Sequence, residues 1–185
     1  MIFTDLFGEP LSFETAPGLF SPRDLDAGTL AMLSRISFKA DDKVLDLGCG
    51  YGLVGIVAAR EVGGDRVVMS DNDPAAIEKA RRNLASNHIE GVTLVLSDGF
   101  ASLTETGFAK IICHPPYHSD FSVAKHFIEK GFNRLVLGGE LWMVTRRLDW
   151  YRNKLTAIFG GVRVFEDSGY FVFAAEKRSA SYAKR

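Results

Sequence analysis

The amino-acid sequence predicts an α/β fold: a mixed sheet of seven strands, mostly parallel and doubly wound, closed by a C-terminal antiparallel hairpin. Three features lead there. Five apolar runs of strand length, between residues 44 and 145, are interleaved with segments of helical periodicity. Two further β-type runs, residues 162–165 and 170–174, flank the turn Glu166-Asp167-Ser168-Gly169. Residues 44–52 run from a strand into three alternate glycines, the start of a ligand-binding βα turn.

In that unit Val44, Leu45 and Leu47 form an apolar run broken only by Asp46, as in a strand covered on both faces. Gly48, Gly50 and Gly52 let the chain turn sharply and approach a ligand closely. Residues 53–59 continue as a helix that ends at Arg60 and Glu61. A dinucleotide site uses G-x-G-x-x-G, so that N–H groups at a helix start meet a pyrophosphate. Here the spacing is G-x-G-x-G, Leu53 stands at the last glycine position, and Asp46 lies two residues ahead of the first glycine. A carboxylate there repels a phosphate and attracts a cation. S-adenosylmethionine, with an ammonium, a sulfonium and no phosphate, suits that layout. The bland alternative is a plain tight turn.

The remaining elements follow in chain order. Residues 1–17 read as a hairpin, with strands at Ile2-Phe3 and 11–13 around Gly8-Glu9-Pro10. A loop over 15–22 holds two prolines, and its Gly18, Leu19 and Phe20 either line a cofactor pocket or cover the sheet. Leu25, Leu30, Leu33 and Ile36 predict a helix over 25–36. Residues 1–40 thus form a cap on a core over 41–175, within one domain over 1–185.

The second strand, 66–70, ends at Asp71-Asn72-Asp73. Ligands of doubly wound sheets sit at the carboxyl ends of strands, where Asp71 can accept from both hydroxyls of a ribose. Asp73, ahead of Pro74, is the better helix cap. The third strand, 92–96, ends at Ser97-Asp98-Gly99. Asp98 can accept from an adenine amino group while a neighbouring apolar side chain covers the ring.

The fourth strand, 110–113, delivers His114-Pro115-Pro116-Tyr117-His118. Its prolines hold the backbone out of the ladder and leave carbonyls free to accept. Tyr117 offers a face for stacking a planar group. Together they make a seat for an amine on a flat ring. A helix over 119–137 turns Val123, Phe127, Ile128, Phe132 and Leu135 inward and stops at Gly138-Gly139. The fifth strand, 140–145, ends in Arg146-Arg147, which either meet a substrate phosphate or stand solvated. A helix over 150–159 precedes the closing hairpin, and a basic tail over 176–185 is expected to fray.

Bulk properties set bounds. With 46% hydrophobic and 24% charged residues the composition is that of an ordinary globular domain. A net charge of −1 provides no global field for nucleic acid. Cys49 and Cys113 fall at neighbouring strand ends without zinc-type spacing, so a reduced pair and no metal are expected. The N-terminus lacks a secretory pattern and no apolar run approaches membrane-spanning length, so a cytoplasmic location is expected, with monomer and homodimer both open.

The order of these motifs resembles the class I S-adenosylmethionine-dependent methyltransferases, with their Rossmann-like fold. More narrowly it is similar to the small-domain methyltransferase family that includes bacterial ribosomal RNA guanine-N2 methyltransferases. The likeness covers nearly the whole chain and includes Pro17-Gly18-Leu19-Phe20-Ser21 and Leu25-Asp26-Ala27-Gly28-Thr29 as well as the motifs above. It implies cofactor binding by Phe20, Asp46, Gly48, Cys49, Gly50, Asp71, Asn72, Asp98, Gly99 and His114. It also implies methyl transfer to an exocyclic amine held by His114, Pro115 and Tyr117, with guanine N2 in RNA as the leading acceptor.

Two departures stand out. The family's loop normally starts with Asn, whose side-chain oxygen accepts an amine hydrogen, and here the residue is His114. The larger ribosomal RNA members also carry a second, N-terminal domain, and none is expected here. A neutral His114 can accept through its unprotonated nitrogen or take the amine's proton, whereas a protonated ring does neither. Activity should then climb with pH through the usual histidine range. A tolerated substitution in a weak or inactive enzyme is the other reading of His114. Alternative acceptors are a protein glutamine or a small heteroaromatic amine, and a non-catalytic cofactor-binding assembly factor also stays open.

Overall fold

The computed structural model of the chain describes residues 1–6, 8–15, 24–116 and 121–183. Strands β1 (Ile2–Leu6) and β2 (Glu9–Phe13) form a separate antiparallel hairpin, followed by α1 (Ala27–Leu33). Then come β3 (Val44–Leu47), α2 (Leu53–Val62), β4 (Val67–Asp71), α3 (Pro74–Ser86), β5 (Thr93–Leu96) and β6 (Phe108–Cys113). The chain continues through α4 (Ser122–Arg134), β7 (Leu135–Thr145), α5 (Asp149–Phe159), β8 (Arg163–Asp167) and β9 (Tyr170–Glu176).

The seven strands are ordered β5-β4-β3-β6-β7-β9-β8. All pairs from β5 to β7 are parallel, while β9 is antiparallel to both β7 and β8. From β3 the chain winds first towards β5 and then, on the other side, to β6 and β7. The carboxyl edge between β3 and β6 is therefore the point where the winding reverses, the place ligands occupy in such sheets.

Strand alternation divides the core between two faces. Val44 and Ile112 pack with the N-terminal hairpin, α1, α2 and α3. Leu45, Leu47, Ile111 and Cys113 pack with α4 and α5. The hairpin is fastened by two buried asparagines four residues apart, Asn83 in the last turn of α3 and Asn87 at its C-cap. Asn87 exchanges both amide hydrogen bonds with the backbone of Ser12 (3.0 and 2.7 Å) and Asn83 does the same with Glu14 (2.7 and 2.9 Å). Their side chains stand in for a neighbouring strand. Asn83 Nδ2 also donates to the Tyr51 carbonyl at 2.8 Å, tying the hairpin to the glycine turn.

Several expected boundaries move. The helix expected over 25–36 is confined to Ala27–Leu33, because Asp26 caps it by accepting from Thr29 N. Glu9 and Pro10 belong to β2, not to the turn. The helix expected to run to residue 137 ends at Arg134: Leu135 pairs with Phe108 of β6, Gly138 N, at φ 79°, donates to the Lys177 carbonyl, and the Gly139 carbonyl accepts from Lys177 N. Sheet pairing of that edge overrides the helical spacing of its leucines. In the tail, Tyr182 packs edge-on against Phe132 with centroids 5.0 Å apart and Ala183 N donates to the Ile158 carbonyl.

Candidate functional site

A cavity of about 490 Å³ lies at the reversal point. Its floor is the turn after β3. Gly52 heads α2 at φ 99°, a backbone angle that favours glycine. The Ser70 carbonyl accepts from both Gly48 N (2.8 Å) and Cys49 N (2.9 Å). Asp71 Oδ2 accepts from Gly50 N at 2.8 Å, while its Oδ1 accepts from Asp73 N at 3.0 Å. The turn is thus braced against the end of β4 before any ligand arrives.

Asp46 points to the α2 face of β3. It is 2% exposed, and Oδ2 accepts from Gly55 N at 2.8 Å in the first turn of α2. Burial pushes its carboxyl up to about 7, the nearby Asp71 charge adds to that, and the Gly55 hydrogen bond opposes it. The amino end of α2 therefore already faces a carboxyl group. A phosphate meets neither an unoccupied helix end nor a favourable potential.

The described lining holds five aspartates, Asp26, Asp46, Asp71, Asp73 and Asp98, and neither lysine nor arginine. Apolar walls come from Leu47, Leu53, Val54, Val123 and Phe127. The Ser70 hydroxyl also borders the cavity, buried and without a hydrogen-bond partner among the described residues. A ligand that is cationic at one end, hydroxylated in the middle and flat and apolar at the other fits this donor and acceptor set. The residues present thus suit S-adenosylmethionine and not a dinucleotide.

Gly48, Cys49, Gly50, Asn72, Gly99, His114 and Pro115 line the cavity together with Asp46, Asp71 and Asp98, so the structure brings nearly all of the expected site together. Phe20, Tyr117 and His118 lie outside the described residues. Asp98 is exposed on the rim, whereas Phe100, the apolar residue nearest it in sequence, is buried in the core, and the aromatic wall is Phe127 of α4. Both cysteines are buried and free, and burial raises both thiols, Cys49 well above the ordinary value. Arg146 lies over the Tyr170 ring (4.6 Å) and Arg147 over Phe121 (5.0 Å), so aromatic faces hold both.

Asp26 and Thr29 were not foreseen as site residues. Both are buried, and both meet His114 Nδ1, Asp26 Oδ2 at 3.2 Å and Thr29 Oγ1 at 3.1 Å. Burial raises the Asp26 carboxyl, but hydrogen bonds from His114 and Thr29 outweigh it and hold the group below the usual aspartate range. In sequence Asp26 reads only as a helix cap, and nothing in its spacing points to a residue 88 positions away.

No helix among the described residues is long and apolar enough to cross a membrane, and no cluster of three or more His, Cys, Asp or Glu there is arranged to hold a metal.

A doubly wound sheet with an acidic, glycine-floored cavity at its reversal point and a proline-stiffened strand end beside it defines the Rossmann-like methyltransferase class. Within it, residues 10–174 match the family described as methyltransferase small domain, and the chain belongs to that family. It is 35% identical over 167 residues to ribosomal RNA small subunit methyltransferase C of Haemophilus influenzae, covering 88% of this chain and 50% of that one. It is 36% identical over 176 residues to the protein of that name from Actinobacillus pleuropneumoniae, covering 91% and 53%. The chain spans about half the length of these relatives. Among solved structures it superimposes on a T. thermophilus 16S rRNA N2 G1207 methyltransferase (RsmC) in complex with AdoMet and guanosine, at TM-score 0.85 and 28% identity over 96% of this chain and 50% of that one. A ribosomal protein L11 methylase from Lactobacillus delbrueckii subsp. bulgaricus, at TM-score 0.68 and 16% identity over 82% and 77% of the two chains, shares the fold.

Proposed function

We propose that the chain is an S-adenosylmethionine-dependent N-methyltransferase whose acceptor is the exocyclic N2 amine of a guanine in ribosomal RNA. The observation that carries this is the acidic cavity, without lysine or arginine in its described lining, beside His114-Pro115-Pro116. The RNA acceptor is supported by the names of the relatives and by the guanosine in the T. thermophilus complex. A net charge of −1 adds nothing to it.

In this reading each residue of the cavity has a role. The turn over Gly48, Cys49 and Gly50 receives the amino-acid end of the cofactor, with Asp46 facing its ammonium. Asp71 accepts from ribose hydroxyls, with Asn72 beside it. Asp98 and Gly99 meet the adenine edge, and Phe127 covers the ring. When bound, the cofactor supplies a methyl group on a cationic sulfur and departs as a neutral thioether. His114 heads the loop that holds the amine, but its ring is packed on Asp26 and Thr29 with Nε2 closed to solvent, so the proton that the amine sheds as its nitrogen bonds to carbon goes to water. Pro115 and Pro116 fix the carbonyls that hold the amine's hydrogens. Holding the amine in line is itself worth several kcal/mol of the barrier, up to about 7–11 in well-oriented systems.

The test is methyl transfer from labelled S-adenosylmethionine to small ribosomal subunits, free small-subunit RNA, guanosine and ribosomal protein. Label at guanine N2 is expected. Label confined to protein, or none with cofactor bound, contradicts the proposal.

A further inference from the structure

The cavity takes a flat ring, but its described lining carries five aspartates and neither lysine nor arginine, so the phosphates of an RNA strand cannot follow a guanine inwards. The strand has to run over an outer surface beside the loop that starts at His114. Strand register locates that surface. Cys113, the last residue of β6, pairs with Met143 of β7, and Arg147 lies four residues beyond Met143 at the same carboxyl edge. Arg147 rests on Phe121, the first described residue after the loop, with the guanidinium carbon 5.0 Å from the ring centroid. The Phe121 ring is in turn stacked on Trp150 of α5, centroids 4.2 Å apart and planes at 11°. Lys125, in the first turn of α4, donates its backbone N–H to the Phe121 carbonyl at 2.8 Å. Arg147 and Lys125 are thus grouped around one phenylalanine, and both are exposed.

Neither cation has a carboxylate within ion-pair distance among the described residues. The acids nearest them in sequence are engaged elsewhere. Asp149 accepts from Arg152 at 2.8 Å. Glu129, one turn on from Lys125, is bonded to Lys154, and Lys125 acts on it only through its longer-range charge. Arg146 is set apart on the other side, over the Tyr170 ring and donating to its hydroxyl at 3.1 Å. The Arg147 guanidinium makes no hydrogen bond among the described residues, and its backbone N–H goes to Thr145 Oγ1. Stacking on Phe121 thus fixes the guanidinium plane while leaving its donors uncommitted, the condition in which arginine grips a phosphate at two points.

We propose that Arg147 and Lys125 form the phosphate-binding edge of the site and hold the RNA strand beside the target guanine, Arg147 by a two-point contact to one phosphate and Lys125 as a point charge at a neighbouring one. This rests on the RNA reading above and names the surface that serves it. It also answers the charge balance: a chain of net charge −1 gives no global field for nucleic acid, so local cations have to supply the attraction. Phosphate contacts fix the place and direction of the strand and carry no base choice, so selection of the guanine stays with the cavity and its loop.

The experiment follows the fluorescence anisotropy of a labelled, guanine-containing single-stranded RNA oligonucleotide as the chain, saturated with S-adenosylhomocysteine, is added over a range of salt concentrations. The variants are Lys125→Gln, Arg147→Gln, the two together, Arg147→Lys, and Lys39→Gln in the segment before β3 as control. All three positions are exposed, so thermal unfolding should match wild type. Each neutralisation should weaken RNA binding about threefold to tenfold and lower the slope of log K against log salt by about 0.7, and the double variant should show both losses. Arg147→Lys should keep the slope and only part of the affinity. Affinity and slope unchanged in the double variant, or an equal loss in Lys39→Gln, overturns the proposal. Anisotropy needs no methyl transfer, which separates the two readings. RNA held by this edge but methylated at another atom ends the guanine reading alone, whereas label at guanine N2 with RNA affinity untouched in the double variant ends this proposal alone. A wild type that binds no RNA overturns both.

Discussion

The Gly50 N–H donates to Asp71 Oδ2 at 2.8 Å, so the glycine turn after β3 is held in shape by the acid at the end of β4. One carboxylate thereby has two tasks, bracing the turn and facing the place for a ribose. Asp71→Ala frees both Gly50 N and Asp73 N at once. The expected result is a loss of about 1–3 kcal/mol in denaturant unfolding together with at least tenfold weaker binding of S-adenosylhomocysteine. Asp71→Asn, which keeps an accepting oxygen, should recover part of the stability and little of the affinity. Equal affinity in Asp71→Ala and wild type would remove Asp71 from the site.

Asp46 gives the chain a pH dependence whose sign can be worked out. Its folded value is raised from 3.8 to about 7, chiefly by burial. Between those values the folded state holds a proton that the unfolded state has lost. Stability therefore falls as pH rises from about 4 to about 7 and stays lowered above that. Asp46→Asn keeps an acceptor for Gly55 N and should abolish this component, so its melting temperature should exceed that of wild type at pH 8 and match it near pH 4. The ionised form is the one that attracts an ammonium. Affinity for S-adenosylmethionine should thus rise between pH 6 and 7.5 in wild type and stay flat in Asp46→Asn, as titration calorimetry would read it.

Asn83 is wholly buried and serves three backbone groups, Glu14 N, Glu14 O and Tyr51 O. Asn83→Ala strands all of them and should cost about 3 kcal/mol in chemical unfolding. Hydrogen exchange should then show β1 and β2 opening before the main sheet. A loss below about 1 kcal/mol would mean that water replaces the amide without cost.

The Tyr170 ring lies so close to Gly28 that a Cβ there would be 2.5 Å from Tyr170 Cδ1. Gly28→Ala should therefore push the ring away from Asp26 and cost about 1–3 kcal/mol. Tyr170→Phe isolates the hydroxyl, which donates to Asp26 Oδ1 at 3.3 Å: the fold should persist with a loss of about 1 kcal/mol in denaturant unfolding, and no loss would confine the tyrosine to packing.

Much of this was legible in the sequence. The glycine spacing with Asp46 ahead of it pointed to a cationic ligand, and the carboxyl edge of the sheet carries Asp71, Asp98 and His114 as expected. Such positions are readable because strand, turn and helix punctuation is local. What escaped was long-range. Asp26 and Thr29 meet His114 only because α1 packs across the sheet edge, and nothing local to Asn83 marks it as the strand surrogate it is. The extension of β7 back to Leu135 was hidden for the same reason, as pairing with β6 outcompetes a locally helical pattern. Of the aromatic wall, Phe127 was assigned to the core stripe of α4, and only the packing of that helix on the sheet turns it to the cavity.

The measurement that bears most directly on the central claim is calorimetric titration of the chain with S-adenosylmethionine, S-adenosylhomocysteine, ATP and NAD at pH 7.5. An acid-lined cavity with the head of α2 already facing Asp46 predicts one site per chain for the first two, weakened in Asp71→Ala, and no heat with the phosphate-bearing ligands. Binding of ATP or NAD without binding of S-adenosylmethionine would contradict the account.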